Sequence, residues 1–290
     1  MIRARLFMLV AAAIWGTSFV VGRVGVSYIN PFAFAFLENC IGLCILALGL
    51  RLQERKVPAS QGSNILMIPE SALLGLLNGL AYTLQYVGLS LTTAINTSLL
   101  VNVSMPFVPL IAWALLKERP SLRRIGGLLI GIGGAILVTT KGEGALLIGG
   151  ELLGNLSAIG AGASWAFWIV VTQRGLEKTR SPLRLAVGNA TYTVVTLFLV
   201  VLVTGAYNIG QVSNLEPWLA IIYLGIMSIG IGYLLYYEGL REIGGSASAA
   251  YILLQSVVAL ALGVILLAEP LTPPVMAGAV MILLAVIIAG

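Results

Sequence analysis

The chain has 290 residues, of which 59% are hydrophobic and only 9% charged, with a formal net charge of +5. A soluble domain carries about 25% charged residues, so these residues cannot build a water-facing surface and are read as a polytopic, all-α membrane protein. There is no His and every acid is Glu, so the usual ligand sets for a transition metal are missing and the sequence predicts neither metal nor other cofactor.

Polar turns and charge clusters divide the chain into ten apolar segments, near 6–28, 32–50, 69–90, 94–116, 122–140, 152–173, 184–204, 217–237, 246–267 and 273–290. Each is close to the roughly 20 residues that cross a bilayer as a helix. The first begins with Arg3 and Arg5 and resembles a secretory signal, but its apolar run continues to Val21. It is therefore expected to be a retained first span that also targets the chain. It carries Trp15 and, near its far end, Arg23. Span two carries Glu38 and Asn39 in its first half, with Cys40 and Cys44 four residues apart, a poor geometry for a bridge. Span three carries Asn78, Tyr82, Gln85 and Tyr86, mostly on one helical face. Span four carries Asn96, Ser98, Asn102 and Ser104, then Pro106 and Pro109, which free backbone carbonyls. Span five, GGLLIGIGGAIL in its core, has small residues and no polar group. Spans six to nine supply Trp165 and Trp168, then Asn189, then Tyr233, Tyr236 and Tyr237, then Tyr251, Gln255 and Ser256. Span ten, AGAVMILLAVIIAG, is again small and apolar.

Lys and Arg set the orientation. With the N-terminus in the cytoplasm, only Arg23 and Lys141 of the 16 basic residues fall outside, which predicts ten spans with both termini cytoplasmic in a plasma (bacterial inner) membrane. The positive charge is thus topology, not a nucleic-acid footprint.

The sequence also repeats itself. ALLKERPS at 114–121 is echoed by ILLAEPLT at 265–272, and Glu118 and Glu269 lie 269 − 118 = 151 residues apart. In the same register Pro31 falls on Pro182, Glu38 on Asn189, Tyr82 on Tyr233, Tyr86 on Tyr237, Gly88 on Gly239 and Gly127 on Gly278. The chain divides into a first five-helix repeat, 1–145, and a second, 146–290, in one membrane domain. Five is odd, so the second repeat is inverted, the arrangement that lets two halves exchange conformations in alternating access. Ser121 and Thr272 are expected to cap the helices that follow them, with each Glu near that positive helix end and the Gly beyond permitting close contact.

The IWG of Ile14–Gly16, the Y-x-G-L of Tyr86–Leu89 and the LL-x-E-x-x-[ST] of Leu115–Ser121 and Leu266–Thr272, in a ten-span inverted repeat, resemble the EamA-type branch of the drug/metabolite transporter superfamily. In the second half Trp165–Ala166 stands where the first has Trp15–Gly16. The resemblance implies export of small metabolites, with its aromatic and neutral amino-acid exporters the nearest in length and layout. It implies a transporter, not an enzyme.

A transport site is a polar and aromatic patch on inward helix faces. The candidate substrate-binding residues are Trp15, Glu38, Asn39, Asn78, Tyr82, Asn102, Trp165, Trp168, Asn189, Tyr233, Tyr251 and Gln255, with a cavity lined by spans one to four and six to nine. Aromatic walls suit an apolar or aromatic side chain, and amides suit a zwitterion. Tyr86, Tyr237 and Trp218 read as interfacial anchors. Arg23 and Glu38 flank the turn at Tyr28–Pro31 at about the same depth, roughly 10–12 Å at 1.5 Å per residue, and are expected to form a buried ion pair. Spans five and ten are read as packing helices outside the pathway, serving a monomer or a weak homodimer. The expected partners are a small-molecule substrate and the lipid bilayer. Another metabolite or drug class, a membrane-embedded enzyme, a lipid-handling protein and a channel are the alternatives to an amino-acid exporter.

Overall fold

The computed structural model describes residues 2–56, 69–108, 122–141, 150–179, 181–207, 213–243 and 245–289, with 111, 113 and 114. Among them the chain is helical and has no strand. Helices α1 (Ile2–Val26), α2 (Pro31–Lys56) and α3 (Pro69–Leu91) are followed by a short α4 (Ala94–Asn102), α5 (Leu122–Thr140), α6 (Gly150–Lys178) and α7 (Pro182–Thr204). Span eight is built from α8 (Glu216–Tyr223), a π-helical stretch (Leu224–Gly232) and α9 (Tyr233–Ile243), and α10 (Gly245–Leu267) and α11 (Pro273–Ala289) complete the fold. Six of these segments are long and apolar enough to cross a membrane, and Ile125–Thr140, Leu254–Leu267 and Pro273–Ala285 are shorter apolar helices.

Local chemistry explains the breaks. The Thr93 hydroxyl accepts from Asn96 N–H at 3.0 Å and starts α4. Pro106 lacks an N–H, so α4 stops at Asn102 and the chain passes into a 3₁₀ turn, Met105–Phe107. The π stretch reads LGIMSIGIG, and its glycines let neighbours approach its widened backbone.

The helices pair in a pattern that the 151-residue shift maps onto itself. α3 packs on α6 as span eight packs on α1, while α2 packs on α7 and α5 on α11. A Cβ on Gly88 would press on the Gly154 carbonyl of α6 at 3.2 Å, and one on its counterpart Gly239 would strike Met8 and press on the Ala4 carbonyl of α1. The same residue recurs because the same close crossing recurs. Gly278 meets the carbonyl of Gly134 and Val138 in the α5–α11 pair.

Two expected caps are corrected. Thr272 Oγ1 has no partner, because Pro273 and Pro274 remove two of the N–H groups at the start of α11. Glu269 turns away from that helix and binds the N-terminus of α4. Glu118 and Ser121 lie outside the described residues. Cys40 and Cys44 are free thiols.

Candidate functional site

Mid-length residues of α1, α3, α4, α6, span eight and α10 surround a cavity of about 50 Å³. Its aromatic wall is Trp15 and Phe19 from α1, Tyr82 and Tyr86 from α3, and Trp165 and Trp168 from α6. Ser18, Gln85, Ser228 and Gln255 are its polar points, and Val101, Met105, Ile169 and Ile252 close the remainder. Among the described residues no Lys, Arg or Glu is in the wall. A water molecule needs about 10–15 Å³ measured in this way, so the space admits only a few waters and no amino-acid side chain of aromatic size.

The rings hold one another at the edge-to-face and offset separations that aromatic pairs prefer. Trp165 stands on the edge of Tyr82 at 5.3 Å and of Trp168 at 5.4 Å, and Trp15 meets Tyr233 at 6.0 Å and Tyr236 at 4.9 Å. Trp15 and Trp165, one position apart in the 151-residue register, thus both stand edge-on to the equivalent tyrosines Tyr233 and Tyr82. They differ in their N–H groups. Trp15 Nε1 donates to the Ser228 carbonyl of the π stretch at 3.1 Å, whereas among the described residues the Trp165 indole N–H and the Gln85 amide have no partner.

Behind the wall lie two hydrogen-bonded relays that tie the repeats together. In the first, the Tyr233 hydroxyl is 2.9 Å from Asn78 Oδ1 and 3.1 Å from the Tyr82 hydroxyl. Asn78 Oδ1 can only accept, and the Tyr233 hydroxyl, the donor toward both, shares its single proton between that oxygen and the Tyr82 oxygen. The Asn78 amide donates to Thr193 Oγ1 at 3.0 Å, which donates to the Asn189 carbonyl at 2.8 Å. Residues related by the repeat can touch only near the axis that relates them, so the Tyr82–Tyr233 pair marks that axis. In the second relay, Gln255 Nε2 donates to Asn102 Oδ1 at 2.9 Å, Asn102 Nδ2 to Ser256 Oγ at 2.5 Å, and Ser256 to the Ser98 carbonyl at 3.0 Å.

Of the candidate residues, Trp15, Tyr82, Trp165, Trp168 and Gln255 are in the cavity wall. Asn78, Asn102 and Tyr233 are one layer back in the relays. Asn189 accepts from Trp168 Nε1 at 3.3 Å, and Asn39 donates to its own helix at the Ala35 carbonyl at 2.9 Å. Tyr251 is half-buried at the edge of the core. Spans two and seven, expected in the lining, contribute nothing to it directly.

The expected Arg23–Glu38 pair is not formed. Arg23 Nη1 donates to the carbonyls of Leu89 and Ser90 at the end of α3, and Glu38 Oε2 accepts from the Tyr86 hydroxyl at 2.6 Å, leaving Oε1 without a partner. Helical rise gives the depth of both residues but not the face each presents, and both face α3. Tyr86 and Tyr237, expected at the interface, are buried instead. Tyr86 connects the cavity to Glu38. Sequence reasoning missed Ser18, Phe19, Ser228 and Ile252, which sit in apolar runs. Ser18 and Ile252 had one usable signal, a spacing of three residues from Trp15 and Gln255 on one helix face.

The sequence model of the EamA-like transporter family matches this chain twice, over residues 2–140 and 152–290. An uncharacterized transporter of Archaeoglobus fulgidus is 28% identical over 258 residues, which cover 87% of this chain and 85% of the relative. The uncharacterized transporter YvbV of Bacillus subtilis is 23% identical, over 97% of this chain and 89% of its own. A solved crystal structure superposes with a TM-score of 0.69 at 19% identity, covering 99% of this chain and 96% of the other. That likeness is one of fold. The two matches span nearly the whole chain, and the chain belongs to the EamA-like transporter family, within the drug/metabolite transporter superfamily.

Proposed function

We propose that this transporter exports neutral or aromatic amino acids by alternating access, with ten spans in a plasma (bacterial inner) membrane, both termini cytoplasmic and the two inverted repeats, 1–145 and 146–290, exchanging conformations around the central cavity. One observation carries the reading: the cavity wall combines indole and phenol rings with two amides and has no formal charge. A zwitterion needs donors and acceptors without net charge. The Gln85 amide and the Trp165 indole N–H are placed to meet its carboxylate, and the rings of Trp165, Trp168 and Tyr82 to receive its side chain. At about 50 Å³ the cavity is too small for such a substrate, so the fold has to open further before one enters.

Glu38 supports a second reading. A carboxylate one residue behind an aromatic wall also suits an organic cation, which the ring faces would attract. Counterflow in proteoliposomes separates the two. Vesicles preloaded with unlabelled tryptophan, phenylalanine or leucine should accumulate the labelled amino acid, whereas vesicles preloaded with lysine, glutamate or tetraethylammonium should not. Accumulation of tetraethylammonium alone would replace the first reading by the second. A channel would give no counterflow with any of them.

A further inference from the structure

Two charged side chains from distant parts of the chain close on the turn between α3 and α4. Arg23 of α1 donates to the Leu89 and Ser90 carbonyls in the last turn of α3. Glu269, in the connection between α10 and α11, accepts from the backbone N–H of Ala94 at 2.7 Å and of Ile95 at 2.9 Å, the first two residues of α4. Each charge therefore meets the helix pole of opposite sign. Two N–H groups that the helix itself leaves unpaired are satisfied by a carboxylate from the other repeat.

The backbone is shaped to put Glu269 there. Ala268 sits at φ 51°, a left-handed conformation unfavourable for a residue with a Cβ. The Glu269 N–H returns to the Gly263 carbonyl at 3.1 Å. Gly263 keeps the space open, since a Cβ on it would lie 3.1 Å from Glu269 Oε2 and 2.8 Å from Ile95 Cγ1. Deeper along the same pair of helices, α4 and α10 are joined by the Asn102–Gln255–Ser256 relay at the cavity wall. At the opposite end of the fold, Lys178 pairs with Glu70, and Arg184 with Glu54 at 2.8 Å, again across the repeats. Both ends are thus tied across the repeats, with the cavity between them.

We infer that Glu269 is the latch of the gate at the α3–α4 end: the cavity opens on that side when its carboxylate leaves the N–H groups of Ala94 and Ile95. On the alternating-access reading that end is the outer one, and the inference rests on that reading for its role in export. The bond and its rupture do not depend on the substrate.

The test needs no substrate. Ser18→Cys in the cavity wall, with Cys40 and Cys44 changed to Ala, reports access to a membrane-impermeant maleimide in right-side-out and inside-out vesicles. Glu269→Gln keeps one acceptor but presents an NH₂ group to the other N–H. It should raise the labelling rate about tenfold, the scale of one lost charge-assisted hydrogen bond, and only from the side of the α3–α4 turn. Ala94→Pro deletes the donor to Oε1 at the first helical position, where proline is tolerated, and Thr93 is already extended at ψ 159°. It should raise labelling from the same side, and the double variant should fall short of the product of the two effects. Native-rate labelling of both folded variants, or equal acceleration from the two sides, overturns the latch. Should Glu269→Gln not fold, Ala94→Pro decides alone. Absent amino-acid counterflow with one-sided acceleration rejects the substrate reading and leaves the latch standing, and counterflow with unchanged labelling does the reverse.

Discussion

The relay at the repeat axis can be tested by removing one oxygen at a time. Tyr233→Phe deletes the hydroxyl that donates toward both Asn78 Oδ1 and the Tyr82 oxygen. Asn78 is fully buried, so its carbonyl oxygen is left with no donor in a dry interior, at a cost of about 1–3 kcal/mol. Tyr82→Phe removes only the second acceptor of the Tyr233 proton. Tyr233 then still donates to Asn78, and the loss is that of an ordinary bond between membrane helices, about 0.6 kcal/mol. At roughly 2 °C per kcal/mol for a chain of this size, Tyr233→Phe should lower the melting temperature in detergent by about 4 °C and Tyr82→Phe by about 1 °C. The double variant should cost little more than Tyr233→Phe alone, because the second oxygen has already lost its partner. Nanoscale fluorimetry on purified protein reads all three. If Tyr82→Phe destabilises as much as Tyr233→Phe, the bond from Tyr233 to Asn78 Oδ1 is not the one that stabilises the axis.

Reporter fusions after Lys141 and after Asn214 should read outside the cytoplasm and one after Thr179 inside, checked by paired phosphatase and fluorescent-protein activities; a cytoplasmic signal at Asn214 would break the inverted-repeat topology. Lys178→Met strands the buried carboxylate of Glu70, whose Oε2 already lacks a partner, whereas Arg184→Met leaves the half-exposed Glu54 to water. The first should therefore destabilise by several times the roughly 0.2–1 kcal/mol of an exposed pair and the second by no more than that, read by thermal unfolding at low and high salt. Gly88→Leu and Gly239→Leu should each weaken the fold to a similar degree, because the two residues serve equivalent crossings of α3 on α6 and of α9 on α1.

The sequence was legible where one dimension suffices. Apolar run lengths mark the helices, and the 151-residue register pairs Tyr82 with Tyr233 as counterparts, which the fold then brings into contact. It was illegible where azimuth decides. Arg23 and Glu38 share a depth but face α3 rather than each other, so one charge went to helix carbonyls and the other to Tyr86. The amides Asn78 and Asn102 read as substrate ligands because they are polar in an apolar run. The fold uses them to bond neighbouring helices, and only Gln85 and Gln255 reach the cavity. Glu269 was read against its own following helix, since adjacency in sequence is the default where the path of the chain is unknown. Two prolines at the start of α11 and the crossing of α4 beside α10 send it to the other repeat.

The two cavity tryptophans separate structural from transport roles. Trp15 and Trp165 face the equivalent tyrosines from the two repeats, so their ring contacts are alike. Their N–H groups are not alike. Trp15 donates to the Ser228 carbonyl in the π stretch, whose counterpart in α3 is ordinary α-helix, and Thr17 bonds the Tyr223 hydroxyl at 2.9 Å at the start of that stretch. The indole of Trp165 spends its N–H on no protein group among the described residues. Trp15→Phe should accordingly lose one hydrogen bond between helices and lower the melting temperature by about 2 °C for each kcal/mol lost, with counterflow falling in step with the folded fraction. Trp165→Phe keeps most of the ring contact and strands nothing, so stability should change by less than about 0.5 kcal/mol. Its counterflow should nevertheless drop about tenfold for amino-acid substrates if that N–H meets the carboxylate, through a raised half-saturation concentration rather than a lowered maximal rate. Equal loss of transport in both variants at matched folded fractions would remove Trp165 from the substrate site and return both residues to packing.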